Sequence, residues 1–281
     1  MNHAQATSTA SLNRLPEDLK VGFIGCGNMG RAIAEAWLSR GVIQASQLLI
    51  SARTSAEATA QALGARAIGT NQALIEEADV VVLGFKPQQL SQVDGMGQLR
   101  AGERLVISLL AGTSLEQLME RFGFHPARGV RLMPNLPARR SQGATLAYSA
   151  EPLQEKEMAT LTPLLSAMGQ TEWLSSEGLF DAGTAISGCG PAYMFMIVEA
   201  LADAGVSLGL PRATAQRLAA QTMLGSGMMA LDEHPGALKD RVTSPGGVTI
   251  QGVRSLERSG LRSAMIEAVV SAAKRSQELG S

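Results

Sequence analysis

The segment Gly25-Cys26-Gly27-Asn28-Met29-Gly30 constrains this chain more than any other feature, because it joins an apolar run, Val21 to Ile24, directly to a stretch with Ile33, Ala34, Trp37 and Leu38 at helical spacing. Three glycines at this spacing suit a strand that turns sharply into a helix. Gly25 allows the turn, Gly27 lets another group approach the backbone, and Gly30 lets the helix pack closely on the strand. Gly41 then ends the helix. The alternation continues with a strand at Leu48 to Ile50, a helix at Thr54 to Leu63 closed by Gly64, and the continuous apolar run Asp79 to Gly84. A strand across Arg104 to Leu110, a helix at Ser114 to Phe122 and short strands near Val130 and Ala144 complete it. The expected fold is an α/β Rossmann domain, a doubly wound, mostly parallel sheet.

After Glu177 the strand signals disappear. Segments opening at Pro191, Pro211, Pro235 and Thr249 carry apolar residues at helical period, which predicts an all-α helical domain. The division expected is a loose leader at 1–18, rich in Ser, Thr, Ala and Asn, a Rossmann domain at 19–176 and a helical domain at 177–281.

A formal net charge of -1 gives no basic surface able to neutralise several phosphates, which argues against nucleic acid as a partner. The apolar runs read as shorter than a bilayer span or as flanked by Gly, Pro and acids, and the first residues lack a signal-peptide core. A cytoplasmic protein without a membrane partner is expected. Cys26 and Cys189 stand apart and are expected to be free thiols. His3, His125 and His234 are scattered, the last two beside prolines, so loop or helix-start roles are expected and no metal site.

The glycine segment, with strand before and helix after, predicts a dinucleotide site in which the helix start meets a pyrophosphate. An ordinary tight turn is the plain alternative. In NAD sites an acid at the end of the second strand binds the ribose 2′-hydroxyl. Here that place holds Ser51, Ala52, Arg53 and Thr54, so a guanidinium replaces the carboxylate and NADPH is the expected cofactor. Arg53 as a solvated side chain is the competing reading. Phe85-Lys86-Pro87 and Leu110-Ala111-Gly112 follow later strands towards the same crevice, where either could also be a plain connection.

These segments, together with Met133-Pro134-Asn135, Ser187-Gly-Cys-Gly-Pro-Ala-Tyr193, Glu199 to Gly205, Gly209-Leu-Pro211, Leu238-Lys-Asp240 and Val242-Thr-Ser-Pro-Gly-Gly-Val-Thr249 with its continuation to Glu257, resemble the pyrroline-5-carboxylate reductase family in order and spacing. The resemblance covers residues 19 to 280. It implies NADPH-dependent reduction of a cyclic imine to proline by a homo-oligomer that associates through its helical domain, with NADH as a possible second cofactor. It implies cofactor contacts at Ile24, Gly25, Cys26, Gly27, Asn28, Met29, Gly30, Ser51, Arg53, Asn71, Lys86, Pro87, Ala111 and Gly112. It further implies a substrate site of Glu177, Gly246, Gly247, Val248 and Thr249, in which the amides of Gly247, Val248 and Thr249 hold a carboxylate. The Thr249 hydroxyl is the expected catalytic group. An N-cap role for Thr249 and a helix-start role for Glu177 are the alternatives. Cys189 departs from the family's usual Ser, and Phe85 from its usual Val. Two other functions stay open: a 3-hydroxyacid dehydrogenase, whose helical-domain lysine has no counterpart between Pro191 and Leu238, and a non-catalytic NADP-binding module.

Overall fold

The computed structural model describes residues 13–94, 96–99 and 103–280. The described chain divides into two compact units, residues up to 188 together with those from 273 onward, and residues 189–272.

The first unit is built on β1 (Val21–Ile24), β2 (Leu48–Ser51), β3 (Arg66–Ala67), β4 (Val80–Leu83), β5 (Leu105–Ser108), β6 (Gly129–Met133), β7 (Gly143–Tyr148) and β8 (Gly169–Trp173). Its helices are α1 (Asn28–Ser39), α2 (Ala56–Leu63), α3 (Asn71–Glu77), α4 (Leu115–Phe122), α5 (Glu155–Met168) and α6 (Phe180–Gly183). The eight strands form one sheet in the order β3-β2-β1-β4-β5-β6-β7-β8. Every pairing is parallel except β6 with β7.

The central strands are apolar because both faces of the sheet are covered. Val21, Phe23, Leu48, Ile50, Val80, Val82 and Ile107 face one core with Ile33 and Trp37 of α1 and Leu161 and Leu164 of α5. Ile24, Leu49, Val81, Leu83 and Val106 face the other, with Leu74 and Ile75 of α3 and Leu115, Leu118 and Phe122 of α4. The period of two along each strand assigns neighbours to opposite layers. The Trp37 indole N–H donates to the Leu164 carbonyl at 2.9 Å, so this buried aromatic keeps its polar atom satisfied.

Residues 1–12 of the expected leader lie outside the described residues. The rest is not loose. Leu15 is buried and its amide donates to the Val42 carbonyl at 2.9 Å, while the Gln47 side chain donates to the Pro16 carbonyl at 2.7 Å. The division between units falls at 188/189 and not at 176/177. Between those points Phe180 is buried, and Glu177 pairs with Arg131 of β6 at 2.8 Å.

The second unit contains α7 (Gly190–Ser207), α8 (Arg212–Asp232), α9 (Pro235–Arg241), α10 (Val248–Arg258) and the larger part of α11 (Leu261–Gly280). Helices α7 and α8 meet through small residues, Ala202, Ala215 and Ala219, with Val198 and Val206 beside them. Large apolar side chains point outward instead: Phe195, Met196, Leu201, Leu218, Leu224, Met228 and Leu231 are all at least half exposed. The helical run Glu177–Ser207, 31 residues, holds an 18-residue stretch of mean hydropathy 1.4 and is long and apolar enough to cross a membrane by length and composition alone. This corrects the expectation of short, interrupted apolar runs. A π-helical turn, Thr184–Gly188, leads up to α7, and Pro191 lies in the first turn of α7, where its missing N–H breaks no helical bond.

Candidate functional site

β1 lies between β2 and β4, so connections leaving its C-terminal end and that of β4 diverge. In an open α/β sheet this reversal of strand order opens a crevice at the carboxyl ends of the strands. Gly25 turns there with φ +76°, and its amide donates to the Ser51 carbonyl at 2.7 Å. The Ile24 carbonyl accepts from the Gly84 amide at 2.9 Å. A Cβ on Gly84 would sit 2.4 Å from the Gly25 carbonyl oxygen, and a Cβ on Gly25 would sit 2.7 Å from the Phe85 nitrogen. The ends of β1 and β4 therefore meet backbone to backbone.

Gly27 behaves differently. Its φ is an ordinary -74°, and a Cβ placed on it would meet nothing of the described residues within 4 Å. The glycine is not required by the chain itself, so the open space beside it suits a ligand pressed against the backbone. Gly30 is the third kind, with a Cβ 3.4 Å from both Cys26 Sγ and Phe23 Cδ1, where helix packs on strand.

Some helix starts are closed by side chains, and others, α1, α2 and α5 among them, are bare. At α3 the Thr70 hydroxyl accepts from the Ala73 amide at 3.1 Å. At α4 the Ser114 hydroxyl accepts from the Gln117 amide, the Gln117 side chain accepts from the Ser114 amide, and Glu177 Oε1 accepts from the Leu115 amide at 2.9 Å. At α1, among the described residues, no side chain caps the helix. Asn28, Met29 and Gly30 therefore start a helix whose first amides and positive dipole end are left for a bound group, which meets the need of a pyrophosphate. Cys26, between the glycines, is buried, and that burial pushes its thiol up to about 12, so it stays protonated and unreactive.

At the end of β2 the buried Ser51 hydroxyl donates to Asn71 Oδ1 at 2.9 Å, and Asn71 Nδ2 donates to the Asp94 carbonyl at 3.1 Å. Arg53 lies exposed beside them and donates from Nη1 to Gln92 Oε1 at 3.1 Å. Among the described residues no carboxylate pairs with Arg53. This rim fits a 2′-phosphate, since its donors are cationic or neutral. Lys86 and Pro87 open a short 3-10 turn after β4, with the Lys86 amide held by Gln89 Oε1 at 3.0 Å. Ala111 and Gly112, the latter at φ +66°, form the turn between β5 and α4. The cofactor residues expected from the sequence thus gather at the carboxyl ends of β1, β2, β4 and β5.

In the helical unit, Ser244-Pro245-Gly246-Gly247 is a tight turn before α10. Gly246 has φ +69°, and the Gly247 amide donates to the Ser244 carbonyl at 3.0 Å. That bond corrects one expectation, because the Gly247 N–H is engaged in the turn. A side chain at 247 would collide with Ser244, whose Oγ lies 2.3 Å from the Cβ position. Among the described residues no side chain caps the start of α10, and Val248 is 92% exposed. The amides of Val248 and Thr249 at this bare helix start remain as donors, with the exposed Thr249 hydroxyl beside them.

Glu177 has a partner set different from the one expected of a ligand-binding acid. Its Oε1 accepts from both Arg131 Nη1 and the Leu115 amide. His125 and His234 each accept on Nδ1 from an amide two residues on and so cap short helices. Cys189 is half-buried ahead of α7 and hydrogen-bonds Tyr193; burial first, then this thiol, raises the Tyr193 phenol above its ordinary value. Asn135, to which the sequence assigned no role, is buried, accepts from the Ala144 amide at 3.0 Å, and donates to the Ser187 carbonyl at 2.9 Å.

Residues 177–279 match a family model described as pyrroline-5-carboxylate reductase dimerisation, and residues 20–112 match one described as NADP oxidoreductase, coenzyme F420-dependent. The pyrroline-5-carboxylate reductase of Pisum sativum is 39% identical over 94% of this chain and 97% of its own length. That of Escherichia coli K12 is 36% identical over 92% and 98%. The Coxiella burnetii enzyme's structure superposes with a TM-score of 0.81 at 34% identity, covering 93% of this chain and 98% of that one. The Plasmodium falciparum structure with NADP bound gives 0.80 at 29% identity, over 94% and 99%. With a glycine-floored nucleotide crevice in one unit, a bare glycine-led helix start in the other, and this likeness over nearly the whole length, the chain belongs to the pyrroline-5-carboxylate reductase family.

Proposed function

We propose that this chain reduces 1-pyrroline-5-carboxylate to proline with NADPH. The observation that carries the reading is the pair of uncapped, glycine-led helix starts: α1 for the pyrophosphate of the dinucleotide, α10 for the carboxylate of the imino acid. Each supplies backbone donors and a positive dipole end without a competing side chain.

NADPH, when bound, supplies a hydride for the imine carbon. The chain's own task is binding and orientation. Arg53 and Ser51 set the preference for a 2′-phosphate, while the first amides of α1 hold the diphosphate. Lys86, Pro87, Ala111 and Gly112 border the same crevice. The amides of Val248 and Thr249 fix the substrate carboxylate, and the Thr249 hydroxyl hydrogen-bonds the ring nitrogen. A protonated cyclic imine is already electrophilic, so orientation matters more than a strong general acid. Glu177 is left out of this set because its carboxylate is engaged elsewhere.

A homodimer through the helical unit fits the outward Phe195, Met196, Leu201 and Leu218, which a second copy would cover. The same association accounts for the apolarity of Glu177–Ser207 without a membrane. A cytoplasmic setting suits the two free thiols.

The test is loss of NADPH absorbance with purified chain and pyrroline-5-carboxylate, against the six-membered imine and a panel of hydroxy acids. Turnover of the five-membered imine is expected. Oxidation of a hydroxy acid with NADP and no turnover of the imine would replace this reading by a hydroxyacid dehydrogenase, and NADPH binding with neither reaction by a binding module.

A further inference from the structure

Behind the Ala111-Gly112 turn lies a half-buried ion pair to which the proposed chemistry gives no part. The side chains of Arg131 and Glu177 are 9% and 19% exposed, and their Nη1 to Oε1 distance is 2.8 Å. The guanidinium lies over the Phe180 ring, 4.2 Å from its centre, which fixes its plane. The same Glu177 oxygen accepts from the amide of Leu115, the first residue of α4, at 2.9 Å. The Ser114 and Gln117 capping box holds neighbouring amides but leaves that of Leu115 to this distant carboxylate. Glu177 is thus the tertiary anchor of the helix that begins where the Ala111-Gly112 turn ends.

We infer that Glu177 is a positioning residue for the dinucleotide. Arg131 orients its carboxylate, the carboxylate holds the start of α4, and the α4 start fixes the turn against the cofactor. This rests on the reading of Ala111 and Gly112 as cofactor contacts. A carboxylate suits the place because it satisfies an otherwise unpaired amide at the positive end of the helix. Without Arg131 it would be a partly desolvated charge with no counter-ion.

Two variants separate positioning from plain stability. Glu177→Gln keeps an oxygen for the Leu115 amide but leaves Arg131 without its counter-charge. The double variant Glu177→Leu with Arg131→Met removes both charges, leaves neither orphaned, and gives up the Leu115 anchor. The readouts are the melting temperature and the NADPH dissociation constant by fluorescence titration. The double variant is expected to melt above Glu177→Gln yet bind NADPH about fivefold or more weakly than wild type, the loss of roughly one hydrogen bond. Glu177→Gln is expected to melt lower and lose less affinity. The inference is overturned if affinity follows the order of stability, or if the double variant binds NADPH as wild type does. Because no imine is used, a chain that binds NADPH and fails to reduce the imine would sink the proposed reaction while leaving this inference standing. A wild-type chain that does not bind NADPH would sink both.

Discussion

The two glycines of the turn, Gly25 and Gly27, should respond to alanine in opposite ways. At Gly25 an alanine must take φ +76°, which costs an L-residue about 1–2 kcal/mol. Its methyl would also lie 2.7 Å from the Phe85 backbone nitrogen and 2.8 Å from its Cα, so backbone must move, at a further cost of about 1–3 kcal/mol. Together the loss is about 2–5 kcal/mol, or roughly 4–20 °C in melting temperature for a domain of this size. At Gly27 the φ of -74° is ordinary and nothing lies within 4 Å of the new methyl. The free protein should keep its stability or gain up to about 1 kcal/mol from a less flexible unfolded chain. The methyl would stand where the diphosphate approaches, and overpacking of about 1–3 kcal/mol corresponds to roughly 5- to 150-fold weaker NADPH binding. Thermal melts without ligand and fluorescence titration with NADPH measure the two quantities separately. If Gly27→Ala binds NADPH as wild type, the open face beside Gly27 is not where the diphosphate lies. If Gly25→Ala melts as wild type, the backbone contact with Phe85 does not hold the turn.

Arg53→Ala should raise the Michaelis constant for NADPH about tenfold to a hundredfold and leave that for NADH nearly alone, as expected for a lost charge-assisted phosphate contact; equal changes with both cofactors would remove Arg53 from the 2′-phosphate. Thr249→Val should keep NADPH affinity while kcat/KM with the imine falls by about 2–4 kcal/mol in transition-state stabilisation, and Ser at 249 should recover part; a fully active Val variant would reduce Thr249 to a helix-start residue. At Glu35 burial opposes the charge, but Arg31 at 2.9 Å and Arg139 at 2.6 Å outweigh it and hold the carboxyl below its ordinary value. A folded-state value that is lowered gives stability that is present above the ordinary carboxylate range and lost as pH falls through the lowered value. Glu35→Gln should therefore flatten the acid side of a stability profile by about 1 kcal/mol or less, and an unchanged profile would show that these arginines contribute nothing there.

The crevice at the ends of β1 and β4 is legible because the close approach at Gly25 falls on the backbone, where a side chain has no room, and because buried parallel strands leave unbroken apolar runs. Features that depend on distant partners are not. The strand β3 is two exposed residues, Arg66 and Ala67, and β8 reads Gly-Gln-Thr-Glu-Trp with no buried residue, so neither carries an apolar signal. Glu177 enters the expected substrate site through the family resemblance alone, and Arg131, 46 positions away, is not identifiable from the sequence as its partner. The engagement of the Gly247 amide likewise depends on how tightly the turn closes, which Ser-Pro-Gly-Gly permits but does not dictate. The apolar residues of α7 and α8 showed that these helices bury surface, but a single chain leaves much of it facing outward.

The meeting of Gly25 with Gly84 and Phe85 bears on how cofactor preference can change over time. The floor of the crevice is drawn by main chain, whereas the rim proposed for the ribose is drawn by the side chains of Ser51, Arg53 and Asn71. Exposed Arg53 can be exchanged for an acid or a neutral residue without touching either glycine, so under the role proposed for Arg53 the choice between phosphorylated and unphosphorylated dinucleotide can drift one substitution at a time while the floor is inherited unchanged.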